Sequence, residues 1–178
     1  IGTERNAQKL VLLVLKNCAV PLLLDADALN VIAKETELLL RPHTEIVVTP
    51  HLGEMARLTG DTVSLIQSRL VESAFTFAQT YNVVCVLKDF HTVTAIPYAL
   101  GYLNLSGNHG MATGGSGDVL SGVIGAFLAQ GLTADVAAPL GVYVHGLAGD
   151  EAAEITGKRA MFSSDLIDGL SRVYDRAD

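Results

Sequence analysis

Short apolar runs alternate with stretches of helical periodicity along this chain. Asn6–Asn17 has helical spacing and leads to a continuous apolar run, Val20–Leu24, that reads as a buried strand of a parallel sheet. Helical patterns follow at Ala28–Lys34, Gly53–Leu58 and Val63–Thr80. Between them lie two more buried-strand runs: Glu45–His51, which Pro50 stops, and Val83–Leu87, which ends at Lys88. Thr92–Ile96 and Gly101–Leu105 alternate like a hairpin near a sheet edge. The remainder reads as three helices, Val119–Gln130, Ala134–Glu154 and Ser163–Tyr174. In the first of these, Leu120, Val123, Ile124, Phe127 and Leu128 form the apolar face, and Gly131 is placed to end the helix. Strand–helix alternation predicts an α/β fold with a mostly parallel sheet. No repeat, low-complexity tract or linker interrupts it, so 1–178 reads as one domain.

In such sheets ligands bind beyond the C-terminal ends of the strands. The polar residues gather there: Asp25 and Asp27 after the first run, His51 after the second, Lys88 after the third, then a glycine loop. The loop is "NHGMATGGSGD", Asn108–Asp118, at the mouth of an apolar helix. Two readings compete. In one, Asp118 caps the helix and the glycines make a turn. In the other, backbone N–H groups at a helix N-terminus cradle a phosphate. No Lys-Ser/Thr follows, so it is not a Walker loop, and the glycine spacing fails the dinucleotide fingerprint. What remains is G-x-G-D. A carboxylate beside phosphate is electrostatically awkward unless it takes a proton from a hydroxyl that attacks that phosphate.

Composition narrows the field. Of 178 residues, 49% are hydrophobic and 17% charged, which is globular rather than disordered. The formal charge of −7 and the lack of a Lys/Arg cluster argue against a nucleic-acid surface. No apolar run is long enough to span a bilayer. Cys18 and Cys85 read as buried free thiols in a reducing cytoplasm.

Taken in order, "DADALN", "TPHLGEMARL", "VLKDFHTV", "SGNHGMATGGSGDVLSGVIGAFLAQG" and "VYVHGLAGDEAA" resemble the ADP/ATP-dependent NAD(P)H-hydrate dehydratases. G-x-G-D alone is shared widely, whereas "TPHxGE" with "GNxGMATGGSGD" is specific. The resemblance implies a three-layer ribokinase-like fold with a mostly parallel central sheet. It also implies a repair reaction. ADP or ATP, with Mg²⁺, phosphorylates the ring hydroxyl of hydrated NADH or NADPH; phosphate then leaves and the ring double bond returns. Asp118 would be the catalytic base and a substrate contact. Gly114, Gly115, Ser116 and Gly117 would form the phosphate loop, with Gly117 also near the nucleotide. His51 would contact the dinucleotide; its competing role is to end a strand and bond backbone.

Lys88, Asp89, Phe90, His91 and Thr92 would form the nucleotide segment, with a snorkelling surface Lys as the alternative for Lys88. The family pattern has Gly and a small residue where this chain has Asp89 and Phe90, which puts nucleotide affinity and choice in question. Asp25 is a candidate neighbour of substrate or hydrated Mg²⁺, with Asn30 in the same network. No metal with protein ligands is assigned. Asp27 fits an N-cap. Asn108 orders the loop or makes a turn. His145 is expected to be packed rather than catalytic, and His91 and His109 exposed. "IGTERN" looks like the tail of a glycine-rich turn, making Gly2 a candidate substrate contact and the chain an N-terminally truncated domain. Homo-oligomers are expected from the apolar C-terminal half. The alternatives kept open are a ribokinase-like kinase of a small alcohol or vitamin precursor, and a non-catalytic nucleotide-binding module.

Overall fold

Residues 2–40 and 44–176 are described by the structure, a computed structural model. They fall into two compact units. One runs through Leu103 and includes Thr133–Asp135; the other holds Asn104–Leu132 and the chain from Val136 onward.

The first unit opens with α1 (Arg5–Asn17), an amphipathic helix that buries Val11 and Leu15. Its sheet has five strands in chain order: β1 (Leu22–Leu24), β2 (Ile46–Val48), β3 (Val84–Leu87), β4 (Val93–Ala95) and β5 (Tyr102–Leu103). β1, β2 and β3 are parallel, while β4 and β5 return antiparallel. The expected hairpin is therefore present, with β5 at the edge. β2 and β3 are buried along their whole length, which explains their unbroken apolar runs. The connections carry α2 (Asp27–Ile32), α3 (Leu52–Thr59), α4 (Val63–Ser68) and α5 (Leu70–Tyr81), with a 3-10 turn at Thr36–Leu40. The core joins strand residues such as Val48, Cys85 and Leu87 to Leu29, Ile32, Met55, Ile66 and Phe77 from the helices.

Three expected boundaries need correction. The single helix Val63–Thr80 is two helices that meet at Arg69, whose φ of −129° and ψ of 42° leave the helical region. The apolar period runs through the break, so the pattern hides it. Asp27 is not a side-chain cap: the N-cap position is Ala26, and Asp27 already lies in the helix. The Asp27 carboxylate instead accepts the N–H of Gly2 at 2.8 Å. β1 starts at Leu22 rather than Val20, which is 63% exposed.

The second unit holds the glycine loop and three helices: α6 (Ser116–Ala129), α7 (Ala134–Thr156, whose first two residues lie in the first unit) and α8 (Ser163–Asp175). All five residues of the expected α6 face are buried. A small core of Ala152, Met161 and Leu166 has Met111 and Val119 packed on it. Among the described residues no helix is long and apolar enough to cross a membrane.

Candidate active site

Three polar residues follow directly from the strand order, because each ends one of three adjacent parallel strands. Asp25 follows β1, His51 lies just past β2 and Lys88 follows β3. The β2–β3 pairing extends beyond the strands: the Lys88 N–H donates to the Pro50 carbonyl at 2.8 Å, and His51 and Lys88 form a parallel bridge. Lys88 does not snorkel. Its ammonium donates to Asp25 Oδ1 at 2.9 Å, and both side chains are largely buried, at 21% and 13% exposure. Ala26, between Asp25 and Asp27, sits at φ 51°, ψ −118°, a strained conformation for a residue with a Cβ. Asn30, on α2, accepts at its Oδ1 from Arg57 Nε at 2.8 Å.

His51 is the N-cap of α3. Its Nδ1 accepts the N–H groups of Gly53 and Glu54 at 3.0 and 3.2 Å, and Glu54 Oε2 accepts the His51 N–H at 2.9 Å. This is a capping box with His in the place usually held by Ser or Thr. With Nδ1 accepting, the neutral ring carries its proton on Nε2, which lies 3.4 Å from Glu54 Oε1. Gly53 has a steric reason: a Cβ there would come within 3.0 Å of the imidazole Cε1.

Along the loop after β3, Phe90 is 79% exposed with its ring edge-on to His91 at 4.6 Å between centroids. Asp89 is half-buried, and His91 is exposed as expected.

In the second unit the helix begins three residues earlier than the sequence suggests. Gly115, at φ 88° and ψ −10°, takes the N-cap position, and Ser116 is already helical. Asp118 therefore does not cap the helix; it lies exposed in the first turn. The first-turn amides have no helical acceptor, and the dipole there is positive. A Cβ at Gly115 would meet Ser163 Oγ at 2.8 Å, so both conformation and space call for glycine. Ser116 Oγ and His145 Nε2 are 3.5 Å apart, and His145 is buried. Asn108 caps the 3-10 turn His109–Met111 and ties it to α7, so it orders the loop as well as turning it. His109 is exposed. Asp118 also lines an apolar groove of about 490 Å³, walled by Val119, Val123, Ile167 and Leu170.

A family model for NAD(P)H-hydrate dehydratase matches residues 1–172. The chain belongs to the NAD(P)H-hydrate dehydratase family. Among curated relatives, it is 51% identical over 154 residues to the bifunctional NAD(P)H-hydrate repair enzyme Nnr of Moorella thermoacetica, which covers 86% of this chain and 29% of that protein. Among solved structures, it is similar to the ADP/ATP-dependent NAD(P)H-hydrate dehydratase of Bacillus subtilis co-crystallised with ATP/Mg²⁺, with TM-score 0.89 and 32% identity over all of this chain and 62% of that one. A ribokinase-like superfamily protein from Enterococcus faecalis matches with TM-score 0.82 and 25% identity, covering 99% of this chain and 60% of that one. The fold is ribokinase-like. The chain spans about a third of the length of the first curated relatives, 29% and 33%. The stretches "TPHLGE" and "GNHGMATGGSGD", on which the sequence resemblance rests, hold the capping box and the glycine loop just described.

Proposed function

We propose that the chain carries the nucleotide-dependent dehydration of hydrated NADH or NADPH. The observation that supports this best is the place of Asp118. It is an exposed carboxylate in the first turn of α6, one residue past the glycines, and the helix does not use it as a cap. A carboxylate so placed repels a phosphate unless a proton donor lies between them. The ring hydroxyl of a hydrated nicotinamide is such a donor. Asp118 takes the hydroxyl proton as the oxygen attacks the terminal phosphorus of ADP or ATP, and the bridging P–O bond breaks to release AMP or ADP. The first-turn amides around Gly115, Ser116 and Gly117 stabilise the charge on the transferring group. The new C–O–P linkage makes phosphate the leaving group. The C–O bond then breaks, the neighbouring ring carbon loses a proton, and the ring nitrogen lone pair drives the electrons that restore the double bond.

Binding roles fall to the strand ends. Lys88, held by Asp25, offers a positive charge to nucleotide phosphate, with Asp89, Phe90, His91 and Thr92 continuing that segment. His51 presents its Nε2 edge to the dinucleotide, and Gly2 is a further substrate contact. Among the described residues no three His, Cys, Asp or Glu side chains are grouped to hold a metal ion. Mg²⁺ would arrive on the nucleotide, since it commonly keeps several waters and takes only one or two carboxylates; Asp25 is the candidate carboxylate beside Lys88. The same reading takes the chain as one catalytic domain of a cytoplasmic homo-oligomer. Its support is the two free cysteines and the exposed stripe Val136, Leu140 and Tyr143 on α7.

The test mixes the full chain with hydrated NADH, Mg²⁺ and either ADP or ATP, following reduced-nicotinamide absorbance and phosphate release together. Restored absorbance with one phosphate per ring, abolished by Asp118→Asn, is the expected result. A phosphorylated product that accumulates without free phosphate would instead make the chain a small-molecule kinase.

A further inference from the structure

A side chain that this chemistry does not use fastens the upstream half of the glycine loop. Asp150, on α7, has both carboxylate oxygens engaged: Gly107 N–H donates to Oδ2 at 2.8 Å and Asn108 Nδ2 donates to Oδ1 at 3.0 Å. Asn108 Nδ2 also donates to the Gly149 carbonyl at 2.9 Å, and Asn108 Oδ1 accepts the Gly110 N–H at 3.0 Å. Gly107, at φ 96°, turns its amide toward Asp150 in a conformation that favours glycine. Two close approaches also seat the loop against α7. Met111 packs where a Cβ on Gly149 would collide with its sulfur, and Ser106 packs where a Cβ on Gly146 would collide with its hydroxyl. At the downstream end Ser116 meets His145. His145, Gly146, Gly149 and Asp150 stand at positions i, i+1, i+4 and i+5, so one helix face receives the whole segment.

We propose that Asp150 is the positioning residue of the anion loop, fixing where the Gly114–Gly117 amides meet the transferring phosphoryl group. The residue type follows from the partners. Two donors converge on one side chain, and only an ionised carboxylate accepts at both ends; an amide would turn a donor toward one of them. Bonds to an ionised acceptor are also shorter and stronger than neutral ones. Asp150 is not an acid or base in the reaction, because both oxygens are committed to the loop. The inference rests on the proposed transfer of phosphate at this loop, where small displacements of the donors are costly to rate.

The test compares wild type, Asp150→Asn and the exchanged pair Asn108→Asp/Asp150→Asn, all in the full chain. In the exchanged pair the new amide at 150 donates to the new carboxylate at 108 and still accepts from Gly107, while the bond to the Gly149 carbonyl is lost, so the clasp is rebuilt in part. Asp150→Asn is expected to lower kcat by about tenfold to a hundredfold, leave nucleotide KM within about twofold, and speed hydrogen exchange of the 107–117 amides. The exchanged pair is expected to restore part of the exchange protection and part of kcat together. Wild-type kcat in Asp150→Asn, or restored protection without restored kcat, overturns the proposal. If the wild-type chain turns nothing over, the functional reading fails separately, and inorganic phosphate is the probe. Amide shifts at Gly115 and Gly117 that titrate with phosphate in wild type, and more weakly in Asp150→Asn, then support the role; equal titration, or none in either protein, overturns it.

Discussion

His51 and Glu54 hold each other across the first turn of α3, the imidazole accepting the Glu54 N–H at 3.2 Å while the carboxylate accepts the His51 N–H at 2.9 Å. Glu54 is only 5% exposed, so its carboxylate has little water to fall back on. Removing it leaves the His51 N–H without its acceptor and frees the ring that an interaction with substrate would need fixed. Glu54→Ala is expected to destabilise the chain by about 1–3 kcal/mol, and Glu54→Gln by less, because an amide oxygen can still accept that N–H. Gly53→Ala is expected to cost about 1 kcal/mol by pushing the ring off the cap. Urea midpoints at constant m decide this. An alanine at 54 with wild-type stability would show that the clasp contributes nothing.

The Asp25–Lys88 pair spans 63 residues and is mostly shielded from water. Such a pair costs more to break on one side than to remove altogether, since a single substitution strands the other charge. Asp25→Asn and Lys88→Met are each expected to destabilise by about 1–3 kcal/mol, with the double variant less than additive by about 1 kcal/mol. The functional signature separates the two. Lys88→Met is expected to raise nucleotide KM by about tenfold if the ammonium makes the proposed charge-assisted contact. Asp25→Asn raises it less, because the ammonium remains. Additive stabilities in the double-mutant cycle would remove the pair from the account.

Much of this arrangement is legible from the sequence, and the limits have physical causes. β2 and β3 read as unbroken apolar runs because both faces are covered, and the five-residue face of α6 reads at its period because one side alone is buried. Strand ends carrying Asp25, His51 and Lys88 follow from those runs. The break at Arg69 does not, because Ile66, Leu70 and Ala74 keep one apolar row across it. The start of α6 is hidden by glycine, whose low helix propensity masks the helical Ser116 and Gly117. The partners of Lys88 and Asp150 lie 63 and about 42 residues away, and no local pattern reports pairings at that range.

Gly115 tests the loop without touching a charge. Its φ of 88° is costly for any residue with a Cβ, and that Cβ would press on Ser163 Oγ at 2.8 Å. Gly115→Ala is expected to destabilise by about 1–2 kcal/mol and to lower kcat more than it raises nucleotide KM, because the helix entry that aims the amides shifts. Pairing it with Ser163→Ala relieves the contact but not the backbone strain, so stability should recover only in part. Full recovery in the double variant would mean that crowding, rather than the left-handed conformation, is what glycine solves here.

Cys85 gives the chain a stability limit at alkaline pH. It sits in β3 at 0% exposure, and burial pushes its thiol far above the ordinary value of 9.0. The unfolded chain therefore loses this proton above about pH 9, while the folded chain keeps it. The folded state then binds more protons than the unfolded one, so stability falls as pH rises past that point, by about 1.4 kcal/mol per pH unit from this group. Below it the contribution is complete and flat. Denaturant midpoints between neutral and alkaline pH are expected to fall more steeply in wild type than in Cys85→Ala, whose slope reports only the remaining groups. The alanine lowers stability at neutral pH through the cavity it leaves, so the slope, not the intercept, is the readout. A thiol reagent supplies the independent check: half-buried Cys18 should react in the native protein and Cys85 only on unfolding. Equal slopes in the two proteins, or native labelling at both cysteines, would show that β3 opens to solvent on the timescale of the measurement.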